Sequence, residues 1–494
     1  MPEEVLMFNN YTHFACPQFR LLSNKQVERL HSSALQILER TGVFFECQEA
    51  IDLLAQAGAD VSNPMRVKIP SSLVEQALRT VPKTITIYKR DGEVAMVLDG
   101  MTSHFGGHAA LREYLDPYTG ENRECYVEDI ADMARLHDAL LNIEWIYTIG
   151  SYTTIPGAIA DKVAVLQALL HTTKPVGYCL VGASSLRDVL DVCTIIAGGE
   201  KELQAKPFLI GSSEPLNPLV QGKDAVEKSL LCAERGIPNI VYSAPILGVS
   251  SPVTFAAVLA FGMAEFLSQL VVIQLKKPGA PVLFGSLPFV MDMRTTICSY
   301  GAPESAFLLV ALAEMGRYFK LPFFGRAGAT DADVVDIQAA TEATYQYLLS
   351  AMSGASLIHG AGEMHWGRMA SPEFAVLGNE IIDMVKVMMQ GIDINEETIP
   401  FDLIERIGPG GTYLAEEHTL KHFREIWVPK LFDRSMVKSK DTKRCADLIK
   451  GKTLEILRTH QPEPLAEDKL KEVQKFEANW LKQAGMDKYP KRPR

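Results

Sequence analysis

Between residues 321 and 374 the chain reads LPFFGRAGATDADVVDIQAATEATYQYLLSAMSGASLIHGAGEMHWGRMASPEF. Arg326, Asp331, His359, Glu363, His365 and Trp366 fall at the ends of two short apolar runs with a helix-period segment between them. Imidazoles, carboxylates, a guanidinium and an indole grouped in this way allow two kinds of chemistry. One is cation recognition. Aromatic faces beside a carboxylate suit a quaternary ammonium, which has no N–H to offer and is held by cation–π attraction of about 0.5 to 2 kcal/mol per ring. The other is metal ligation, because His359, Glu363 and His365 are ligand types for Zn, Fe or Mn. Their spacing, HxxxExH, is not the HExxH that sets two imidazoles on one helix face. A serine nucleophile lacks its GxSxG elbow. Asp331, Asp333 and Asp336 lie at a helix start, where capping accounts for at least one of them.

Residues of the same kinds recur at the ends of other apolar runs: His104 and His108, Tyr152, Tyr178, residues 212–214 ending in Glu214, Tyr242 with Ser243, and Ser286 with Phe289. Something must bring these ends together. From residue 101 onward, strand-like runs are expected at 103–105, 145–149, 176–181, 208–211, 240–242, 282–284, 323–325 and 357–359. Helix-period segments follow at 127–141, 159–171, 185–197, 223–235, 253–276, 303–319, 334–353 and 374–390. Eight strands alternating with eight helices predict an α/β fold of the (β/α)8 TIM-barrel type, with its site at the C-terminal ends of the strands. A doubly wound open sheet would give the same alternation. No phosphate-binding P-loop occurs, and no GxGxxG follows a first strand.

Residues 1–20 read as an irregular arm. A helix then starts at Ser23, with Gln26 in capping-box spacing and Gly42 as its stop, and further helices are expected at 48–57 and 71–81. The runs TITIYKR and VAMVLD flank Asp91-Gly92, a hairpin signal. The organisation expected is therefore an N-terminal helix-and-hairpin cap (1–100), a barrel (101–395) and a C-terminal helical extension packed on it (396–494).

Asp and Glu number 60 against 49 Lys and Arg, a net charge of -11 that argues against nucleic acid or a polybasic membrane surface as partner. The terminal KYPKRPR reads as a solvated tail. Eight cysteines, at 16, 47, 125, 179, 193, 232, 298 and 445, form no CxxC pair and read as reduced thiols of a cytoplasmic protein. The longest apolar run, 253–273, carries Glu265 and Gln269, which suits a buried helix better than a membrane span.

Taken together, GRAGATDADVVDIQAATEA, SLIHGAGEMHWGRMASPEF, YSAPILGVSSPVT, LPFVMDMRT and GPGGTYLAEEHTLKHFREIWVP, with the opening LSNKQVERLHSSALQILERTGV, resemble the trimethylamine methyltransferase (MttB-like) family of barrel proteins over most of the chain. In that family's archaeal trimethylamine enzymes, the loop matching about 332–336 carries pyrrolysine; here it reads ADVVD. The resemblance to members without pyrrolysine implies demethylation of a quaternary amine, glycine betaine first, with proline betaine, carnitine or γ-butyrobetaine behind it. The methyl passes to Co(I) of a separate corrinoid protein and on into one-carbon metabolism, in an anaerobic setting. It also favours a homo-oligomer. This chain holds no corrinoid on that reading, since DxHxxG is absent and its nearest match, residues 357–362, has Leu where Asp is required.

The expected roles follow. Tyr152, Tyr178, Tyr242, Phe289 and Trp366 are candidates for a cage around the ammonium. Arg326, His104, His359 and His365 are candidates for the substrate carboxylate. Glu214, Asp331 and Glu363 are candidates for the electrostatics of catalysis, and no metal is assigned. A metal-dependent barrel hydrolase or lyase built on His359, Glu363 and His365, and a betaine-binding relative without chemistry, remain alternatives.

Overall fold

A computed structural model describes residues 17–434 and 444–493. Cys16, the first part of the expected N-terminal arm and the final Arg494 lie outside the described residues. Eight parallel strands close into a barrel: β1 (His104–Ala110), β2 (Trp145–Thr148), β3 (Val176–Tyr178), β4 (Leu209–Ser213), β5 (Asn239–Ser243), β6 (Val282–Ser286), β7 (Phe323–Arg326) and β8 (Leu357–Ala361). Each pairs with its neighbours in chain order, and β8 closes on β1 through Leu357↔His104 and Ile358↔Phe105. The open-sheet alternative is thereby excluded.

Each strand is followed by a helix: α1 (Val127–Ala139), α2 (Gly157–Leu170), α3 (Ala183–Ala197), α4 (Lys223–Arg235), α5 (Phe255–Lys276), α6 (Pro303–Phe319), α7 (Ile337–Ser353) and α8 (Pro372–Met389). Buried strands want apolar residues on both faces, which is why these runs are continuously hydrophobic. The α7 helix begins later than its periodicity predicts, because the Asp336 carboxylate caps it by accepting from the Ala339 N–H at 3.1 Å. The α5 helix is long and apolar enough to cross a membrane, yet almost all of it is packed inside the fold.

The N-terminal helix Asn24–Gln36 opens with the Ser23/Gln26 capping box. It lies on α5 together with Ser71–Thr80. The hairpin Ile85–Tyr88 and Val94–Leu98 forms as Asp91-Gly92 predicts. At the other end of the chain, Cys445–Thr459 packs on α1 and α8, and Glu467–Gln483 on α2 and α3.

One strand departs from expectation in a way that matters for the site. The sequence run ends at Phe105, but β1 continues to Ala110 through Gly106 and Gly107. A Cβ on Gly106 would stand 2.4 Å from the Trp145 ring inside the barrel, and one on Gly107 would stand 2.2 Å from the His137 ring outside it. The glycines make room for rings on both sides and do not end the strand. His104 therefore sits at the floor of the barrel, where its Nδ1 meets the Glu144 carboxylate and its Nε2 lies 3.3 Å from the Val97 carbonyl. His108 takes the place near the mouth.

Candidate active site

Side chains alternate along a strand, so every second residue reaches the barrel interior. Trp145 and Tyr147 of β2, Tyr242 of β5, Phe324 of β7 and His359 of β8 meet there. The Phe324 ring lies 6.3 Å from Trp145, 6.1 Å from Tyr147 and 5.5 Å from Tyr242, and stacks on His359 at 4.9 Å. All five are buried. Nearer the C-terminal ends of the strands, this bed of rings carries three polar groupings.

The first is His108, His359 and Glu363. His108 Nε2 and His359 Nδ1 share a hydrogen bond of 2.8 Å, and Glu363 Oε2 stands 3.5 Å from the same His108 nitrogen. Burial pushes both imidazoles below their ordinary range, His108 to about 3, with neighbouring positive charge adding to the effect, so both rings are neutral near pH 7. Burial pushes the Glu363 carboxyl up to about 7 against the opposing pull of Arg326. One ligand atom from each of the three lies within 4.8 Å of the others, so they could supply three ligands to a metal ion. The Arg326 cation, whose charge bears on all three, opposes a dication there. His365, which the sequence placed in this set, is instead on the rim, with Nδ1 3.2 Å from Glu113 Oε2.

The second grouping is Arg326, 3% exposed, with its guanidinium carbon 4.0 Å over the Tyr300 ring and 4.6 Å over Phe289. Its Nε and Nη1 have no hydrogen-bond partner among the described residues. A buried donor left unpaired costs about 1 to 3 kcal/mol, more when charged. Two neighbouring rings, 5.0 Å apart, therefore pack against the guanidinium while two of its donors are left for a ligand. Nε and Nη1 point from different edges of the planar group, and a carboxylate can take either of them together with Nη2 as a fork. Asp331 acts from behind, accepting from the Tyr300 N–H at 2.6 Å and from the Ser299 hydroxyl, so it holds the segment that delivers Tyr300.

The third is Glu214, on the chain leaving β4, whose Oε2 accepts from the Tyr242 hydroxyl at 2.9 Å. Burial raises its carboxyl, and the tyrosine's hydrogen bond works in the opposite sense. Beside it, Tyr147 donates to Ser212 Oγ at 3.0 Å, and Ser212 donates to the Tyr178 carbonyl.

Of the residues singled out in the sequence, Tyr242, Glu214, Phe289, Arg326, His359 and Glu363 come together in this way. His365 and Trp366, both with left-handed backbone (φ 52° and 46°), join Asp331 around an outer cavity of about 360 Å³. Three do not belong. His104 is at the floor. Tyr178 faces outward, with its hydroxyl 3.4 Å from Cys232 on α4, because Gly177 holds the inward position of β3 against Trp145 and Tyr147. Tyr152, in the loop after β2, is turned to α2, where its hydroxyl donates to the Ala160 carbonyl at 3.0 Å. Sequence reasoning passed over Tyr147, Phe324 and Tyr300. Two of them lie inside apolar runs and read as core; the third is on a loop whose partner, Arg326, is remote in sequence.

Over residues 4–485 the sequence matches the trimethylamine methyltransferase (MTTB) family. The chain belongs to the trimethylamine methyltransferase family. It is 32% identical over 453 residues to the trimethylamine methyltransferase MttB of Desulfitobacterium hafniense, covering 90% of each chain. It is 30% identical over 426 residues to a glycine betaine methyltransferase of the same species, covering 85% of this chain and 88% of that protein. Against the trimethylamine methyltransferase MttB of Methanosarcina thermophila it is 30% identical over 469 residues, covering 92% of this chain and 96% of that protein. A methyltransferase family accounts for a barrel mouth that presents rings and charges together.

Proposed function

We propose that this methyltransferase takes one methyl group from a quaternary amine that also bears a carboxylate, glycine betaine first, and delivers it to the Co(I) of a corrinoid carried by a separate protein. The observation that carries this reading is Arg326, buried against two rings with two of its donors unpaired, next to a bed of tyrosine and phenylalanine faces and the Glu214 carboxylate. A zwitterion fits both parts. Its carboxylate meets the guanidinium fork, and its methylated nitrogen lies against Tyr147, Tyr242 and Phe324 with Glu214 as counter-charge. The two kinds of relative, named for trimethylamine and for glycine betaine, bracket the substrate class.

In the transfer, the cobalt lone pair forms the new bond to the methyl carbon, and the C–N bonding pair returns to nitrogen, leaving a neutral tertiary amine. A quaternary nitrogen already carries the charge that makes it a leaving group, which suits a loop with ordinary residues at 332–336. The chain's own work is to hold the cation, aim one methyl outward and exclude water, and the burial of the site serves the last of these. The acceptor protein docks over the mouth. Around it, the loops after β3 to β7 each expose an apolar side chain: Val181, Leu216, Val249, Met293 and Val334.

The test is a visible-absorbance assay with a reduced corrinoid protein, offering glycine betaine, proline betaine, carnitine, γ-butyrobetaine, choline and trimethylamine in turn. Corrinoid methylation with one betaine, and far slower methylation with choline and trimethylamine, is expected. Methylation with trimethylamine alone would overturn the reading. Tight binding of a betaine without methylation of any corrinoid protein would point to a sensor.

A further inference from the structure

The floor of the barrel, the end opposite the mouth, holds a cavity that methyl transfer does not use. Its volume is about 330 Å³, and it lies where the chain enters two strands: residues 99–101 lead into β1, and Lys320 and Leu321 into β7. Four cations line it, Arg20, Lys83, Arg317 and Lys320, against two carboxylates, Asp99 and Glu314. The chain as a whole has the opposite balance, with 60 Asp and Glu against 49 Lys and Arg. Positive charge gathered in one cavity of so acidic a protein sets up a local field for an anion.

Both carboxylates are occupied with backbone. Glu314 Oε1 accepts from the Leu21 and Leu22 N–H groups, which ties down the chain just before the helix Asn24–Gln36. Asp99 Oδ1 accepts from the Met101 and Thr102 N–H groups at 2.8 and 3.0 Å, closing its own turn. None of the four cations forms an ion pair among the described residues. Lys83 Nζ donates to the Leu78 and Phe319 carbonyls at 2.6 and 3.2 Å, and Arg317 Nη1 to the Ser353 carbonyl. Arg317 Nη2 and Arg20 Nε are shut off from water and have no hydrogen-bond partner among the described residues. The cations also oppose one another. Burial pushes the Arg317 guanidinium down to about 10 and Arg20 adds to the effect; burial lowers Lys83, and Lys320 adds to that. Donors without partners and like charges held side by side are stabilised together by an anion among them.

The lining also selects the kind of anion. Two guanidinium groups offer planar pairs of donors and two ammonium groups offer point charges, a set that suits a phosphate dianion. Leu22, Val27, Met101, Leu321 and the Tyr318 ring add an apolar wall. We propose that the barrel floor binds a small phosphate monoester carrying an apolar group, its phosphate among Arg20, Lys83, Arg317 and Lys320 and its carbon part against Met101 and Tyr318. This site is separate from the candidate active site, which opens at the other end of the strands.

The experiment is calorimetry of the full chain in a buffer free of phosphate and sulfate, with phenyl phosphate, inorganic phosphate and benzoate as probes, and thermal melts alongside. Wild type is expected to bind one phenyl phosphate per chain, inorganic phosphate more weakly, and benzoate at least about tenfold more weakly than phenyl phosphate. Arg20→Gln with Lys320→Gln alters two side chains that make no hydrogen bond among the described residues, and is expected to weaken phenyl phosphate at least about tenfold. Without the probe this variant should melt at the wild-type temperature or above it, because like charges have been removed, while the upward shift that phenyl phosphate gives wild type should shrink. No saturable binding of phenyl phosphate by wild type, undiminished binding by the variant, or benzoate held as tightly would overturn the proposal. So would displacement of phenyl phosphate by glycine betaine, which would place it at Arg326, or a lower melting temperature of the variant without the probe, which would give the cations to the fold alone.

Discussion

Arg326→Gln separates recognition of the carboxylate from recognition of the ammonium, and the structure fixes the expected size of the effect. Nε and Nη1 of the guanidinium are unpaired on a side chain that is 3% exposed, and a bidentate carboxylate would take one of them together with Nη2. Hydrogen bonds to charged groups contribute about 1.5 to 3 kcal/mol each. Losing two, with imperfect additivity, removes about 3 to 4 kcal/mol of binding in the transition state, which is two to three orders of magnitude in kcat/KM for glycine betaine. Choline, which offers the same cation without the carboxylate, should change by less than about fivefold, because it never drew on the fork. The variant should also unfold at the same temperature or higher, since it trades a buried cation with unpaired donors for a smaller amide, at the expense of two cation–π contacts of about 0.5 to 2 kcal/mol. Lower activity with undiminished stability is the mark of a residue kept for its ligand. Rates are measured by corrinoid absorbance on both sides of the Glu363 transition, because removing the Arg326 charge lets that carboxyl rise further. Equal losses with glycine betaine and choline would refute the reasoning, as would no loss with either.

Tyr242→Phe keeps the ring and removes the bond to Glu214; the expected cost is about 1 to 2 kcal/mol in kcat/KM, or 5- to 30-fold, with the alkaline shift of the pH–rate profile that a less stabilised carboxylate predicts. Glu363→Gln tests linkage. The native carboxyl, raised to about 7 from an ordinary value near 4.5, holds a proton that the unfolded chain has released, so wild-type stability falls as pH rises through that window; thermal melts of the variant should lack this part of the slope and gain relative stability above it. Prolonged dialysis against a chelator should leave methyl transfer unchanged. Stoichiometric zinc lost together with activity, and restored with it, would assign His108, His359 and Glu363 to a metal instead.

The architecture was legible because burial on both faces forces each strand into an uninterrupted apolar run, and eight such runs spaced by helix-period segments admit few closures. Arg326, His359 and Glu363 were legible for a related reason: they directly follow apolar runs, and polar residues there have few places to go but the mouth. What the sequence concealed was parity and depth. Whether Tyr178 or Cys179 faces inward depends on which residue of β3 yields space to Trp145 and Tyr147, and Gly177 yields it. The depth of His104 and His108 depends on reading Gly106-Gly107 as strand, which becomes evident only once the rings of Trp145 and His137 are seen pressed against it. Both errors have one physical origin. A glycine in a strand records the bulk of a neighbour that is distant in sequence, so the same residue that reads locally as an interruption is, in the closed barrel, where two layers come nearest. Tyr147 and Phe324 were passed over as core because they are core. The bed on which a methylated ammonium would rest is made from the same rings that fill the barrel, and the site's stiffness comes from that sharing: a substitution that reshapes the cage, such as Tyr147→Ala, would also open a cavity beside Trp145 and Phe324.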